Sequence, residues 1–203
     1  MNDLPRGTPE WWNARYLSAD APWDTGIVPP EVVALLESGE PQPGWALDLG
    51  CGSGVTSRYL AECGFRVVGV DLALSALSRA AQMATRQGLA ARQGFAGGFC
   101  QGDVTDLGFV RMRATLAVDV GCFHAVASER RLAYIASLAE HLLSGALYLL
   151  YAFEPFLSEQ GGPSGLSPAD LAAFAPRFVL RWAQHGFDRE RPSAWYLWQR
   201  TRV

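Results

Sequence analysis

Residues 46–54 read Ala46-Leu47-Asp48-Leu49-Gly50-Cys51-Gly52-Ser53-Gly54. An apolar run carrying one acid gives way to three glycines on alternate positions. A segment of helical period, Val55–Cys63, follows at once and stops at Gly64. Strand, glycine turn, helix is the arrangement that brings backbone amides against a ligand at a helix N-terminus. The dinucleotide fingerprint would place its third glycine at position 55, which is Val. The spacing is GxGxG instead, with Asp48 near the end of the strand. A carboxylate there repels a pyrophosphate and suits a ligand with a positive or amino-bearing part. The motif points away from a nicotinamide dinucleotide and the oxidoreductases that use one.

Outward from this unit the chain keeps alternating short apolar runs with helical segments, the pattern of βαβ units around a parallel sheet. Strands are expected at Trp45–Leu49, Arg66–Val70, Phe99–Gln101, Thr115–Val118 and Ala146–Phe153. Helices are expected at Val55–Cys63, Ser75–Gln87 (Ser75 as N-cap, Gly88 past the end), Ser128–Leu143 (ending at Gly145) and Pro168–Phe174. Near the C-terminus, Arg177–Gln184 and Ala194–Arg200 alternate apolar and polar residues around the charged segment "HGFDRERPS". This reads as an antiparallel hairpin added to the parallel sheet. Glu154–Ser167 reads as a flexible surface loop. One domain, 1–203, is expected, with a lead-in over 1–40 and a core over 41–203.

Composition narrows the function classes. Of 203 residues, 49% are hydrophobic, with seven Trp and ten Phe, which excludes a disordered chain. The net charge of −3 gives no footprint for a nucleic acid or an anionic membrane. No apolar run approaches the roughly 20 residues of a membrane span, and the N-terminus lacks a signal-peptide core. A soluble cytoplasmic protein acting on a small molecule, as a monomer or homodimer, is expected. Cys51, Cys63, Cys100 and Cys122 share no metal-ligand spacing, so reduced thiols and no metal are expected.

Two further acids close strands. Asp71 ends "RVVGVD", near the sequence distance at which α/β nucleotide sites place an acid on ribose hydroxyls. Asp103, in "FCQGDVTDL", follows the next strand, where it could equally cap a loop. Three acids at three consecutive strand ends, with the glycine turn at the first, resemble the class I S-adenosylmethionine-dependent methyltransferases. The resemblance implies a Rossmann-like, doubly wound sheet of seven strands, six parallel and one antiparallel, with helices on both faces. It implies S-adenosylmethionine as cofactor and S-adenosylhomocysteine as product. Gly50, Cys51 and Gly52 would lie against the methionine and ribose parts, Asp71 would bind the ribose hydroxyls and Leu72 would flank the adenine. Asp103 and Val104 would meet the adenine edge, and Asp48 would stand near the methionine amino group.

A finer resemblance rests on "WWNARYLSADAPWDTG" and on "VDVGCFHAV". Both are similar to the branch holding thiopurine, thiol/halide and tellurite-resistance methyltransferases, in which aromatic residues fold over the cofactor as a lid. Trp12, Tyr16 and Trp23 carry that spacing. They could equally be the packed face of an amphipathic helix, and the two roles are compatible. Related sequences commonly read Asp-Arg-Gly where this one reads Asp119-Val120-Gly121. Asp119 and Val120 would border the cofactor, and losing the arginine favours a neutral or apolar acceptor. Phe123, His124, Phe153, Phe156 and Trp195 are candidate walls for the acceptor. His124 is a candidate general base or a packed loop residue.

Methyl transfer asks the protein chiefly to align the reactants and exclude water. A thiol of modest pKa needs little help from a base, so a thiol or other soft nucleophile is the leading acceptor. An O- or N-methyltransferase of a small aromatic metabolite, and a non-catalytic S-adenosylmethionine-binding protein, are the alternatives.

Overall fold

The computed structural model describes residues 4–89, 98–155 and 165–202. Two short helices lead in: α1 (Pro9–Leu17), capped by the Thr8 hydroxyl on the Trp11 N–H at 3.2 Å, and α2 (Pro30–Glu37). Then follow β1 (Trp45–Leu49), α3 (Val55–Glu62), β2 (Arg66–Asp71), α4 (Leu74–Arg86), β3 (Gly98–Gln101) and β4 (Ala114–Val120). After two single turns of 3₁₀ helix come α5 (Arg131–Glu140), β5 (Leu142–Phe153), α6 (Pro168–Ala172), β6 (Phe178–Asp188) and β7 (Arg191–Arg200).

All seven strands form one sheet in the order β3-β2-β1-β4-β5-β7-β6. The first five pair in parallel, and β7 runs antiparallel to both β5 and β6. Six strands therefore point one way and one the other, as expected. Strand order reverses between β1 and β4, so a crevice opens beyond their carboxyl ends, where open α/β sheets bind ligands.

Two apolar layers hold the sheet. On one face α5 packs through Tyr134, Ile135 and Leu138 against Tyr148, Phe174 and Trp198. On the other, Val32 and Leu35 of α2 and Leu60 and Ala61 of α3 pack on Ala46, Val67, Leu149 and Leu197. The strands between these layers are buried on both faces, which is why they read as apolar runs rather than alternations.

Several boundaries depart from the pattern in the sequence. The long helix expected over 128–143 is divided. Ser128–Arg130 is a 3₁₀ turn, α5 stops at Glu140, and Leu142 already belongs to β5. Gly145 is no helix stop: it sits within β5 at φ 82°, where the register against β4 shifts. Ser75 does not cap α4, because the cap position is Ala73. The Ser75 hydroxyl instead bonds the Asn13 side chain at 3.0 Å, tying α1 to α4. The C-terminal hairpin is longer than its apolar pattern, since β6 and β7 run through most of "HGFDRERPS" and only Arg189 and Glu190 separate them. The backbone pairing of His185–Asp188 with Arg191–Ala194 extends the ladder past the apolar residues.

Candidate functional site

The crevice is a single cleft of about 1550 Å³, lined by α1 and the loop after it, the glycine turn, the ends of β2 and β4, and the β5–β7 edge. Among the described residues no helix is long and apolar enough to cross a membrane, and no cluster of His, Cys, Asp and Glu could hold a metal ion. All four cysteines are free.

The glycine turn is held from beneath, since the N–H groups of Gly50 and Cys51 donate to the Val70 carbonyl at 2.8 and 3.0 Å. Its side-chain-free positions answer first to the protein itself. At Gly50, φ 68°, a Cβ would stand 2.5 Å from the Cβ of Cys122. At Gly52, φ 52°, it would stand 2.6 Å from the Tyr16 hydroxyl, the end of a side chain that roofs the turn.

Asp71 joins the turn to the next strand. Its Oδ2 accepts the Gly52 N–H and its Oδ1 the Ala73 N–H, both at 2.8 Å. Burial raises its pKa, and the backbone amides of Ala73, Gly52 and Leu72 oppose the rise. A carboxylate offers about four lone-pair directions, so acceptor capacity remains for a hydroxyl donor in the cleft. Asp48 is buried at the foot of the turn and accepts the Ser57 hydroxyl at 2.5 Å. Burial lifts its pKa to about 7 against that hydrogen bond. Asp103 is more heavily engaged, taking the Thr105 N–H at 2.9 Å, the Thr105 hydroxyl at 2.7 Å and Arg130 at 2.8 Å. Burial works to raise its pKa, but these partners hold it below the ordinary value. Leu72 and Val104 also line this part of the cleft.

Trp12, Tyr16 and Trp23 form one aromatic cluster over the cleft. The Trp12 and Trp23 rings lie 5.4 Å apart edge to face, and the Trp23 Nε1–H donates to the Tyr16 hydroxyl at 3.0 Å. The loop carrying Trp23 is fastened to the glycine turn, where the Ser53 hydroxyl donates to Asp24 at 2.5 Å. Arg79 of α4 reaches the same carboxylate at 3.3 Å. Nothing in the local pattern marked Asp24, because its partners lie far along the chain.

Beyond β4 the picture changes. Val120, His124, Phe153 and Trp195 line the cleft, but Asp119 and Phe123 do not, and both expectations are corrected. Successive strand residues face opposite sides of a sheet, so Val120 faces the opening while Asp119 turns inward with no exposed surface. Its carboxylate takes the Cys122 N–H at 2.7 Å, the Phe123 N–H at 3.0 Å and the Tyr134 hydroxyl at 2.6 Å. Burial lifts its pKa to about 7. It shapes the loop and does not line the cleft. Phe123 is fully buried against Tyr134 and Phe174. Phe156 lies outside the described residues.

His124 is buried, and its Nδ1 accepts the Phe153 backbone N–H at 3.2 Å. Burial pushes its pKa down to about 3, with the charges of Arg191 and Arg131 adding to the effect. A ring so hard to protonate makes a poor general base. Sequence reasoning missed Arg191, which lines this wall with its guanidinium carbon 3.8 Å from the Phe153 ring centre. In the sequence it falls in the charged segment between the two expected hairpin strands.

A family profile described as a methyltransferase domain matches residues 46–145. The chain is 31% identical over 164 residues to a 2-heptyl-1-hydroxyquinolin-4(1H)-one methyltransferase of Mycobacteroides abscessus, a match spanning 80% of this chain and 70% of that protein. The chain belongs to the S-adenosylmethionine-dependent methyltransferases.

Solved structures share the fold. The structure described as the conversion of a disulfide bond into a thioacetal group during echinomycin biosynthesis superposes with a TM-score of 0.78 at 25% identity, over 96% of this chain and 93% of that one. The N-methyltransferase NodS from Bradyrhizobium japonicum, solved with S-adenosylhomocysteine, gives 0.75 at 14% identity, over 96% and 100%. TehB from Haemophilus influenzae gives 0.71 at 17% identity, over 96% and 67%. The site of this methyltransferase fits S-adenosylmethionine. Asp71 keeps acceptor capacity for hydroxyls, and Asp48, which lines the cleft, can supply a negative charge beside an ammonium group.

Proposed function

We propose that this methyltransferase carries the methyl group of S-adenosylmethionine to a small, flat acceptor whose nucleophilic atom is soft or acidic: a thiol, or an aromatic hydroxyl or N-hydroxyl. The observation carrying this reading is the commitment of the His124 Nδ1 lone pair to the Phe153 N–H. With that lone pair engaged and the ring pKa depressed, His124 is poorly placed to take a proton. An acceptor that ionises on its own near neutral pH, as thiols and acidic hydroxyls do, needs no base from it. The related protein named for a hydroxyquinolone, a flat N-hydroxy heterocycle, supports the same class.

S-Adenosylmethionine supplies an activated methyl group, leaving with the bonding pair held on sulfur. The chain's own residues bind, orient and keep water away. Asp71 accepts the ribose hydroxyls, Leu72 and Val104 flank the adenine, with Asp103 beside Val104, and Asp48 pairs with the amino group. Trp12, Tyr16 and Trp23 act as a lid whose flat faces shield the sulfonium from water. Val120, Phe153 and Trp195 bound the acceptor, and His124 keeps its wall in shape.

The test is release of S-adenosylhomocysteine from the cofactor with a panel of aromatic thiols, phenols, N-hydroxy heterocycles, primary amines and aliphatic alcohols. Turnover is expected with the acidic members and not with amines or alcohols. A preference for amines, or no release with any acceptor, would overturn the reading.

A further inference from the structure

Helix α1 lines the cleft and yet buries none of its nine residues. Together with the loop behind it, it is assembled from its own side chains. The Arg15 guanidinium lies between the Trp11 and Trp23 rings, 5.1 and 5.0 Å from their centres. Trp11 and Trp12 meet edge to face at 4.6 Å. With no side chain sunk in the core, α1 depends on polar bonds to the body more than a helix with a buried apolar stripe would.

Those bonds fall at two places. On α1, the Asn13 Oδ1 accepts the Ser75 N–H at 2.9 Å and the Ser75 hydroxyl at 3.0 Å, at the start of α4. On the loop, Asp24 takes the Ser53 hydroxyl at 2.5 Å and Arg79 at 3.3 Å. The Asp24 side chain is only 11% exposed, so its bond to Ser53 is shielded from water, whereas Arg79 is 57% exposed and its longer contact is the weaker of the two. The charges that reach Asp24 are of both signs: Arg79 and Arg58 attract it, and Asp71 repels it. Ser53 belongs to the glycine turn and is itself fixed, because Arg58 donates to its carbonyl at 2.6 Å.

We propose that Asp24 is a positioning residue that latches the aromatic lid onto the glycine turn and sets how long the cofactor stays bound. This rests on the reading above in which Trp12, Tyr16 and Trp23 cover the cofactor. Asp24 follows Trp23 directly, so its bond to Ser53 fixes the lid against the same turn that receives the cofactor. While the latch holds, the rings exclude water from the reacting atoms. When it lets go, the loop lifts while Asn13 still holds α1 to α4, and S-adenosylhomocysteine leaves.

The test measures how fast S-adenosylhomocysteine leaves the protein, by chasing labelled ligand with unlabelled ligand. Asp24→Ala should speed release about tenfold without slowing association. Asp24→Asn keeps an oxygen for the Ser53 hydroxyl and should fall between the parent and Asp24→Ala. Ser53→Ala removes the same bond from the other side, so adding it to Asp24→Ala should speed release no further. Because α1 buries no residue, the urea midpoint of these variants should stay with that of the parent. Ser53→Ala loses only a hydroxyl and gives the answer should Asp24→Ala fail to fold. Unchanged release in Asp24→Ala or Ser53→Ala, slowed association, or faster release found only with a lowered urea midpoint overturns the proposal. Trp23→Leu tests the lid reading by itself. Unchanged release there means that the rings do not cover the cofactor, whereas faster release there with unchanged release in Asp24→Ala overturns the latch alone.

Discussion

The two halves of the cleft are built on different principles. The half around β1, β2 and β3 is made of main-chain amides and carboxylates fixed by short-range bonds, with Asp71 clamped between Gly52 and Ala73. The half around β4, β5 and β7 is made of aromatic rings with a cation laid across one of them. The first is set by strand ends and a turn, so it suits a ligand shared by many proteins. The second depends on which side chains a loop and a hairpin bring together, so it suits a ligand particular to this chain.

The largest expected effect breaks the first half. Gly50→Val meets Cys122 at a positive φ, and a destabilisation of about 3 kcal/mol or more is expected in urea unfolding. Gly52→Val is strained too, at φ 52°, but its Cβ meets the end of the Tyr16 side chain rather than a neighbouring Cβ, so it should cost less stability while abolishing binding of adenosyl ligands. Equal losses of stability in the two variants would erase the distinction drawn between them.

Next comes Asp71→Ala, which removes the acceptor proposed for the ribose hydroxyls. Calorimetry should show adenosyl-ligand binding weakened by about 1–3 kcal/mol.

Protonation offers a subtler probe. Asp48 and Asp119 both have pKa values lifted to about 7 by burial. The folded state therefore keeps protons that the unfolded chain loses near pH 4, at about the ordinary aspartate value. Stability should fall as pH rises from about 4 to 7 and flatten above that, read as unfolding midpoints in urea. An ammonium group beside Asp48 favours its carboxylate. Binding of S-adenosylmethionine near pH 6.5 should then release a fraction of a proton, measured in buffers of different ionisation enthalpy. Asp48→Asn should remove that release, and Asp119 should contribute nothing to it because it faces away from the cleft. The smallest effect is that of Tyr134→Phe, which takes one hydrogen bond from Asp119. A loss of about 1 kcal/mol in stability is expected, with cofactor affinity unchanged.

The same contrast explains what could be read from the sequence. The glycine turn, Asp48 and Asp71 were legible because strand ends and turns are local, and β1 and β2 lie where their apolar runs place them. The seven strands, six running one way and one the other, followed from the alternation of strands and helices together with the resemblance. Asp119 and Phe123 were misjudged because their motif fixes where the loop lies and not which way each side chain turns. Asp119 serves the backbone of its own loop, and Phe123 serves the core under α5. Arg191 and Asp24 were invisible for the opposite reason: each acts through partners distant in the chain, Phe153 and His124 for one, Ser53 and Arg79 for the other. Charged residues in a turn give no local sign of a ring waiting across the sheet.

The most direct test of the central claim is a titration of S-adenosylmethionine, S-adenosylhomocysteine and NAD into the purified protein, followed by calorimetry. Micromolar binding of both adenosyl ligands, none of NAD, and loss of binding in Gly52→Val is the predicted result. Binding of NAD alone, or of none of the three, would contradict the account.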